Sequence, residues 1–240
     1  MKKLESSLKN MVLSLSLISI FIAGLLALIY GMTKEPIAMA EKQKQENAIK
    51  NVTPDFNNNP TEEKFEVEIA EGDVLTVFPA KKDGKLVGFA VESNTTKGFS
   101  GLIEVMVGFD VDGNLVDYTV LKHAETPGLG TKMQEWFRPQ TEKEKSLIET
   151  IFGFEVKSKE RNSSVINKNL AKDKLVVTND GGDIDGITAA TISSRAFMDA
   201  INRAYEAFVK VKPTEDDFQS EELITDSQVE ETTEEELITE

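Results

Sequence analysis

Asp185-Gly186-Ile187-Thr188-Ala189-Ala190-Thr191-Ile192-Ser193-Ser194 is the stretch around which the rest of the chain is organised. It reads as a loop running directly into a helix. Gly181, Gly182, Asp183, Asp185 and Gly186 are turn formers that interrupt any regular element. Beyond them Ile192, Ala196, Ala200, Ile201, Ala204 and Phe208 recur at helical spacing as far as Lys210. The hydroxyls of Thr188, Thr191, Ser193 and Ser194 therefore crowd a helix start, where the first backbone N–H groups have no partner within the helix. Two readings follow. Ser and Thr there act ordinarily as caps, or the free N–H groups and the positive end of the helix dipole form an anion site suited to a phosphate.

Upstream, Lys174-Leu175-Val176-Val177-Thr178 reads as a strand that delivers the chain to this loop. The order strand, Gly-rich loop, helix is the geometry that a phosphate site requires. Thr141 to Phe152 reads as a helix with a charged outer face, Glu142-Lys143-Glu144-Lys145. Met133, Trp136 and Phe137 form an amphipathic turn, in which Trp136 is a core residue or an aromatic face for a flat ligand.

Before that turn lies His123-Ala124-Glu125-Thr126-Pro127-Gly128-Leu129-Gly130-Thr131. Its Gly-Leu-Gly lacks the later glycine of a dinucleotide fingerprint and the Lys-Ser/Thr of a P-loop. Taken alone it is a Pro-Gly turn. His123, ending a strand with no nucleophile signature beside it, is a structural residue.

Further outward the pattern becomes β. Phe65-Glu66-Val67-Glu68-Ile69 alternates apolar and polar as a half-buried strand does. Val74 to Phe78 and Leu86 to Val91 flank Lys82-Asp83-Gly84-Lys85, a hairpin signal. Leu102 to Phe109 and Leu115 to Leu121 flank Asp112-Gly113-Asn114. Such short connections demand antiparallel neighbours. Gly98-Phe99-Ser100-Gly101 marks either a bulge with close backbone approach or a simple loop. The fold class expected is α+β, a twisted antiparallel sheet with flanking helices, over residues 65–212.

At the N-terminus, Met1-Lys2-Lys3 and Lys9 precede an uncharged apolar run from Met11 to Met32, and roughly 20 such residues span a hydrocarbon core. Ala38-Met39-Ala40 imitates a signal-peptide cleavage site, but the apolar run exceeds the roughly 7–15 residues of a signal peptide. A retained single-pass anchor over residues 11–32, behind a short cytoplasmic segment 1–10, is the expectation. Lysines flank both sides (Lys34, Lys42, Lys44 and Lys50 on the second), so their count leaves the orientation open. Residues 33–64, with Pro54, Asn57-Asn58-Asn59 and Pro60, read mostly as a polar spacer, with a short helix conceivable from Glu41 to Val52.

The 240-residue chain has room for one ordinary domain plus appendages. Its net charge of −15 argues against a nucleic-acid partner. Most of that charge sits in residues 213–240, where twelve carboxylates follow one another without a Lys or Arg, the composition of a solvated, disordered tail. No cysteine is present, which excludes disulfides, iron–sulfur ligation and Cys-based zinc sites, and the single histidine argues against a His-rich metal site. Chemistry here must use hydroxyls, carboxylates or a borrowed cofactor.

Two of these stretches carry a resemblance. Asp185, Thr188, Ala190, Thr191, Ser193 and Ser194 resemble the flavinylation motif of an FMN-binding domain family. That domain is shared by the G subunit of the Rnf electron-transport complex and the C subunit of the sodium-pumping NADH:quinone reductase. Ala189 stands where the motif usually has Gly. Glu125-Thr126-Pro127-Gly128-Leu129-Gly130 is similar to the second recurrent motif of the same family, and the two come in the same order. The resemblance covers about residues 80–205 together with the anchor, and favours the Rnf G subunit. It implies a phosphoester bond from Thr191 to FMN, a covalent flavoprotein and phosphoprotein. Thr188, Gly186 and Ala190 would shape the turn, and Asp185 would help engage a separate magnesium-dependent flavin transferase that uses FAD. Glu125, Thr126, Gly128, Leu129, Gly130 and Thr131 would meet the ring system. It further implies a single-pass protein of the cytoplasmic (inner) membrane with its domain on the outer, periplasmic side. Its electron transport would serve an ion-translocating ferredoxin:NAD oxidoreductase, with other membrane and redox subunits as partners. With one span and no nicotinamide site, the chain would hold no complete active site of its own. A non-catalytic membrane-tethered adaptor with a docking tail is the reading from another class.

Overall fold

The computed structural model describes residues 8–139, 161–171 and 174–212. The helix expected over Thr141–Phe152 and the acidic tail of residues 213–240 lie outside them. Two compact units are present, the first ending at Asn47 and the second beginning at Ala48.

Helix α1 runs from Leu8 to Val52. The apolar run lies in the part of α1 that belongs to the first unit; the helix is long and apolar enough to cross a membrane, and that run is exposed. The helix conceivable from Glu41 to Val52 forms as part of a longer one, since α1 continues across Lys34–Val52 and accommodates Pro36, so the first part of the expected spacer is helical. The sequence Ala38-Met39-Ala40 is therefore helical.

The second unit is built on a five-stranded antiparallel meander, β1 (Phe65–Glu68), β2 (Val74–Lys82), β3 (Lys85–Gly98), β4 (Gly101–Asp110) and β5 (Leu115–His123), each strand paired with the next. The expected hairpins form. Asp83 and Gly84 have φ of 53° and 80°, the left-handed pair that a two-residue hairpin turn needs to match strand twist. Gly98-Phe99-Ser100-Gly101 is also a hairpin turn, with Gly98 opposite Gly101 and a register slip after Thr95.

One face of the sheet presents Leu75, Val77, Phe89, Val91, Ile103, Val105, Val107 and Phe109, and α3 (Thr191–Val211) packs on it through Phe197, Ala200, Ile201, Ala204 and Phe208. Each large side chain buried in this layer contributes about 1.5–3 kcal/mol. Short α2 (Met133–Trp136) is held at the edge. Phe137, just after it, stacks on Phe197 at 4.8 Å, and Tyr118 donates to the Met133 carbonyl at 2.9 Å. Burial pushes the Tyr118 phenol well above its ordinary range, so it serves here as a neutral donor.

The opposite face carries a smaller cluster, Phe78, Ala90 and Met106, covered by Ala48, Ile49 and Val52 from the end of α1. A Cβ at Gly108 would lie 1.6 Å from the Val52 carbonyl oxygen, so only glycine admits this contact. The folded unit thus begins before Phe65, the boundary expected from the strands. Residues 48, 49 and 52 are spaced to share one helix face, which is why they bury together.

The strand expected over Lys174–Thr178 is also corrected. Among the described residues a single bridge, Val177 to Ile184, forms there. Asn202 on α3 takes the role of a neighbouring strand: its Oδ1 accepts from Leu175 N–H at 3.0 Å, and its Nδ2 donates to the Leu175 carbonyl at 2.9 Å.

Candidate functional site

The last helix begins at Thr191, with Ala190 (φ −137°, ψ 47°) as the capping position, and among the described residues no side chain caps it. The capping reading of the Ser and Thr cluster therefore fails. Thr188 is exposed. Ser194 is buried and stitches the preceding loop, its Oγ accepting from Ile187 N–H at 2.8 Å and donating to the Ala190 carbonyl at 2.9 Å. Ser193 turns inward, and its Oγ donates to Glu125 Oε2 at 2.6 Å. Thr191, half-buried, accepts among the described residues one long hydrogen bond, 3.4 Å from Asn179 Nδ2. Ala189 sits in the left-handed region at φ 61°, where a Cβ is unfavourable by about 1–2 kcal/mol.

Asp185 ties the loop down. Its N–H donates to the Asn162 carbonyl at 2.8 Å, its Oδ2 accepts from Asn162 N–H at 2.9 Å, and its carbonyl accepts from Trp136 Nε1 at 2.9 Å. One face of that indole is covered by the Arg161 guanidinium, 3.9 Å from the ring centroid. Gly186 lies in ordinary contact with Ser194, 3.4 Å from where a Cβ would be.

The second loop closes largely on itself. The Thr126 carbonyl accepts from Leu129 N–H at 3.2 Å and from Thr131 N–H at 3.4 Å, while Thr131 Oγ1 accepts from Gly128 N–H at 2.9 Å. Gly128 is left-handed at φ 75°. Thr126, Gly128 and Leu129 are exposed. Glu125 is not: it is 4% exposed and points into the protein, Oε1 accepting from Ser100 N–H at 3.0 Å. Its carboxylate thus lies away from the exposed tip of the loop. Gly130 is buried against the same carboxylate, and a Cβ there would fall 2.6 Å from Glu125 Oε2 and 2.7 Å from Ser193 Oγ. The two motifs, about 60 residues apart in the chain, thus meet through Glu125, Gly130 and Ser193, with Trp136 on Asp185 as a second link.

An open cavity of about 400 Å³ runs along α3, lined by Val176, Asp180, Ile192, Arg195, Lys97 and Asn202 among others. Arg195 holds Asp180 in a two-pronged pair at 2.6 Å for each bond. That hydrogen bonding keeps the Asp180 carboxyl below, and the Arg195 guanidinium above, their usual ranges. Lys97 pairs with Asp199 at 2.8 Å. Sequence reasoning did not single out Asn179, Asp180, Arg195 or Ser100. No local spacing announces them, because each acts across a fold-made contact.

This sheet-and-helix unit, with its two motif loops joined at the start of the last helix, is an FMN-binding domain. The family model of that description matches residues 98–206, from the β3–β4 turn into α3. The ion-translocating oxidoreductase complex G subunit of Salmonella typhi is 33% identical over 197 residues, covering 80% of this chain and 86% of that protein. The protein of the same name from Aliivibrio fischeri (strain MJ11) is 30% identical over 209 residues, 83% of this chain and 89% of its own. That from Haemophilus influenzae (strain PittEE) is 31% identical over 179 residues, 73% and 78% respectively. The chain belongs to the family of G subunits of ion-translocating oxidoreductase complexes.

Proposed function

We propose that this chain is a membrane-anchored electron-relay subunit of an Rnf-type ion-translocating ferredoxin:NAD oxidoreductase, carrying FMN in phosphoester linkage on Thr191. The observation that carries the reading is the Thr191 hydroxyl, standing at the first position of α3, where among the described residues no side chain caps the free N–H groups. Those N–H groups and the helix dipole suit the residual charge of a phosphodiester. The residues present therefore fit the group. Thr191 would hold the phosphate, Ser194 would keep the loop before it in shape, and the exposed backbone of Thr126–Leu129 is open to a flat ligand.

When bound, FMN supplies the redox chemistry, passing electrons singly or in pairs. The chain supplies the attachment point. Thr191 Oγ1 would form the new bond to the FMN phosphorus of FAD as the pyrophosphate P–O bond breaks, with AMP as leaving group and the hydroxyl proton released. A magnesium-dependent flavin transferase would run this step as a maturation partner. A covalent link suits a carrier on the outer side of the cytoplasmic membrane, where free flavin cannot be relied on. The domain would lie on that side, with the apolar part of α1 as its anchor. Holding no complete active site of its own on this reading, the chain would exchange electrons with neighbouring redox subunits, which would also move the ion.

The test is the intact mass of protein purified from its native membrane, beside Thr191→Ala. We expect the wild-type chain to carry the mass of one esterified FMN and the variant, still folded, to carry none. A wild-type chain without added mass, colourless after denaturation, would sink the proposal.

A further inference from the structure

Glu125 is almost fully buried, and among the described residues its partners are two neutral donors from two different segments. Ser100 N–H reaches Oε1 at 3.0 Å and Ser193 Oγ reaches Oε2 at 2.6 Å. A buried carboxylate is costly to desolvate unless its oxygens are satisfied, so a bridge of this kind calls for a reason. The flanking backbone is cleared for it. A Cβ at Gly98 would lie 2.7 Å from Oε1, and one at Gly130 would lie 2.6 Å from Oε2.

Ser193 is the third residue of α3 and Thr191 the first. At 3.6 residues per turn, two positions are separated by roughly 200° around the axis. A helix whose third residue is drawn inward onto Glu125 therefore turns its first residue outward. Held at 2.6 Å by a charge-assisted bond, which is about twice as strong as a neutral one, the first turn of α3 cannot rotate. The azimuth of Thr191 Oγ1 is then set by a residue in the other motif loop.

We propose that Glu125 is a positioning residue for modification of Thr191, acting through Ser193 and not by touching flavin or phosphate. This deepens the reading of Thr191 as the attachment site and rests on it. Replacing Glu125 by Gln keeps the shape but weakens the bond. Ser193→Ala removes the donor, and Ser193→Thr restores it.

The full-length chain in detergent would be incubated with FAD, magnesium and the flavin transferase, and the rate of flavin attachment followed by intact mass. Glu125→Gln and Ser193→Ala should each lower the turnover at least tenfold while leaving the half-saturating chain concentration unchanged. The double variant should be no slower than the slower single, and Ser193→Thr should recover most of the rate. Wild-type turnover in Glu125→Gln, or independent multiplication of the two single effects, would overturn the proposal. A loss that tracks thermal stability and is not rescued by Ser193→Thr would also overturn it. If the wild-type chain itself takes no flavin, attachment to Thr191 fails as a reading. Amide exchange in the flavin-free chain decides the positioning separately. The N–H of Ser194, bonded to the Ala190 carbonyl, and that of Ile187, bonded to Ser194 Oγ, should exchange at least tenfold faster in Glu125→Gln while those of Ala200 to Ala204 keep their rates, and unchanged exchange at the helix start would refute the clamp.

Discussion

The loops Glu125–Thr131 and Asp185–Thr191 are both short, both rich in small and hydroxylated residues, and they use their polar groups in opposite ways. The first commits its groups to internal closure, Thr131 on Gly128 and the Thr126 carbonyl on two N–H groups, and sends Glu125 inward. The second is held from outside, by Ser194, Asn162 and Trp136, which leaves Thr191 at an uncapped helix start. One loop is a brace and the other is a presentation platform. Chemistry becomes available in the second because other segments do the work of holding it.

The comparison is broken most severely at Gly130. A methyl there meets Glu125 Oε2 at 2.6 Å and Ser193 Oγ at 2.7 Å, and neither neighbour can move without opening the clamp. Overpacking of this kind costs about 1–3 kcal/mol. Gly130→Ala should sit at the upper end and should also slow flavin attachment. Urea unfolding of the flavin-free chain, together with the flavin content of the loaded chain, checks both. A stable, fully loaded variant would mean that the brace is dispensable.

Gly128→Ala tests a different property of the same loop. Its φ of 75° lies in open space with no atom near a Cβ, so the cost is conformational, about 1–2 kcal/mol. Because the strain is confined to an exposed turn, stability should fall while the attachment rate stays within a few-fold of wild type. A large loss of attachment would show that the loop tip itself contributes to presentation.

Most of the sheet was legible in the sequence because alternation and turn chemistry are local. Phe65–Ile69 could show its buried face one residue at a time, and Asp83-Gly84 could announce a left-handed turn without help. The helix start at Thr191 was legible for the same reason. What escaped depended on distant partners. Leu175–Val177 has the composition of a strand, yet the partner that satisfies Leu175 is a side chain, Asn202, on a helix. Lys34–Asn47 is polar and interrupted by Pro36, so nothing in its pattern distinguishes a continuing helix from a spacer. The inward turn of Glu125 was illegible because acidic residues are ordinarily exposed, and its two donors come from Ser100 and Ser193. The pair Ser193-Ser194 was visible as a pattern, but not the division of labour by which one clamps and the other stitches.

The smallest effects belong to the presentation platform, at Gly186 and Ala189. Gly186→Ala places a methyl at ordinary contact distance, 3.4 Å from Ser194 Oγ, with no unusual φ, so stability should change by less than about 0.5 kcal/mol. Ala189→Gly should stabilise. Ala189 holds φ at 61°, unfavourable by about 1–2 kcal/mol for a residue with a Cβ. Glycine recovers that energy but loses roughly 0.5–1 kcal/mol of chain entropy on folding. A net gain of about 0.5–1 kcal/mol is expected from urea unfolding, as the difference between those two terms. The side chain at this position is exposed, so little burial is lost with its methyl. If Ala189→Gly instead destabilised the chain, the left-handed turn would have to be held by more than Ser194 on Ile187 and Ala190. The platform would then share the self-closure that defines the brace.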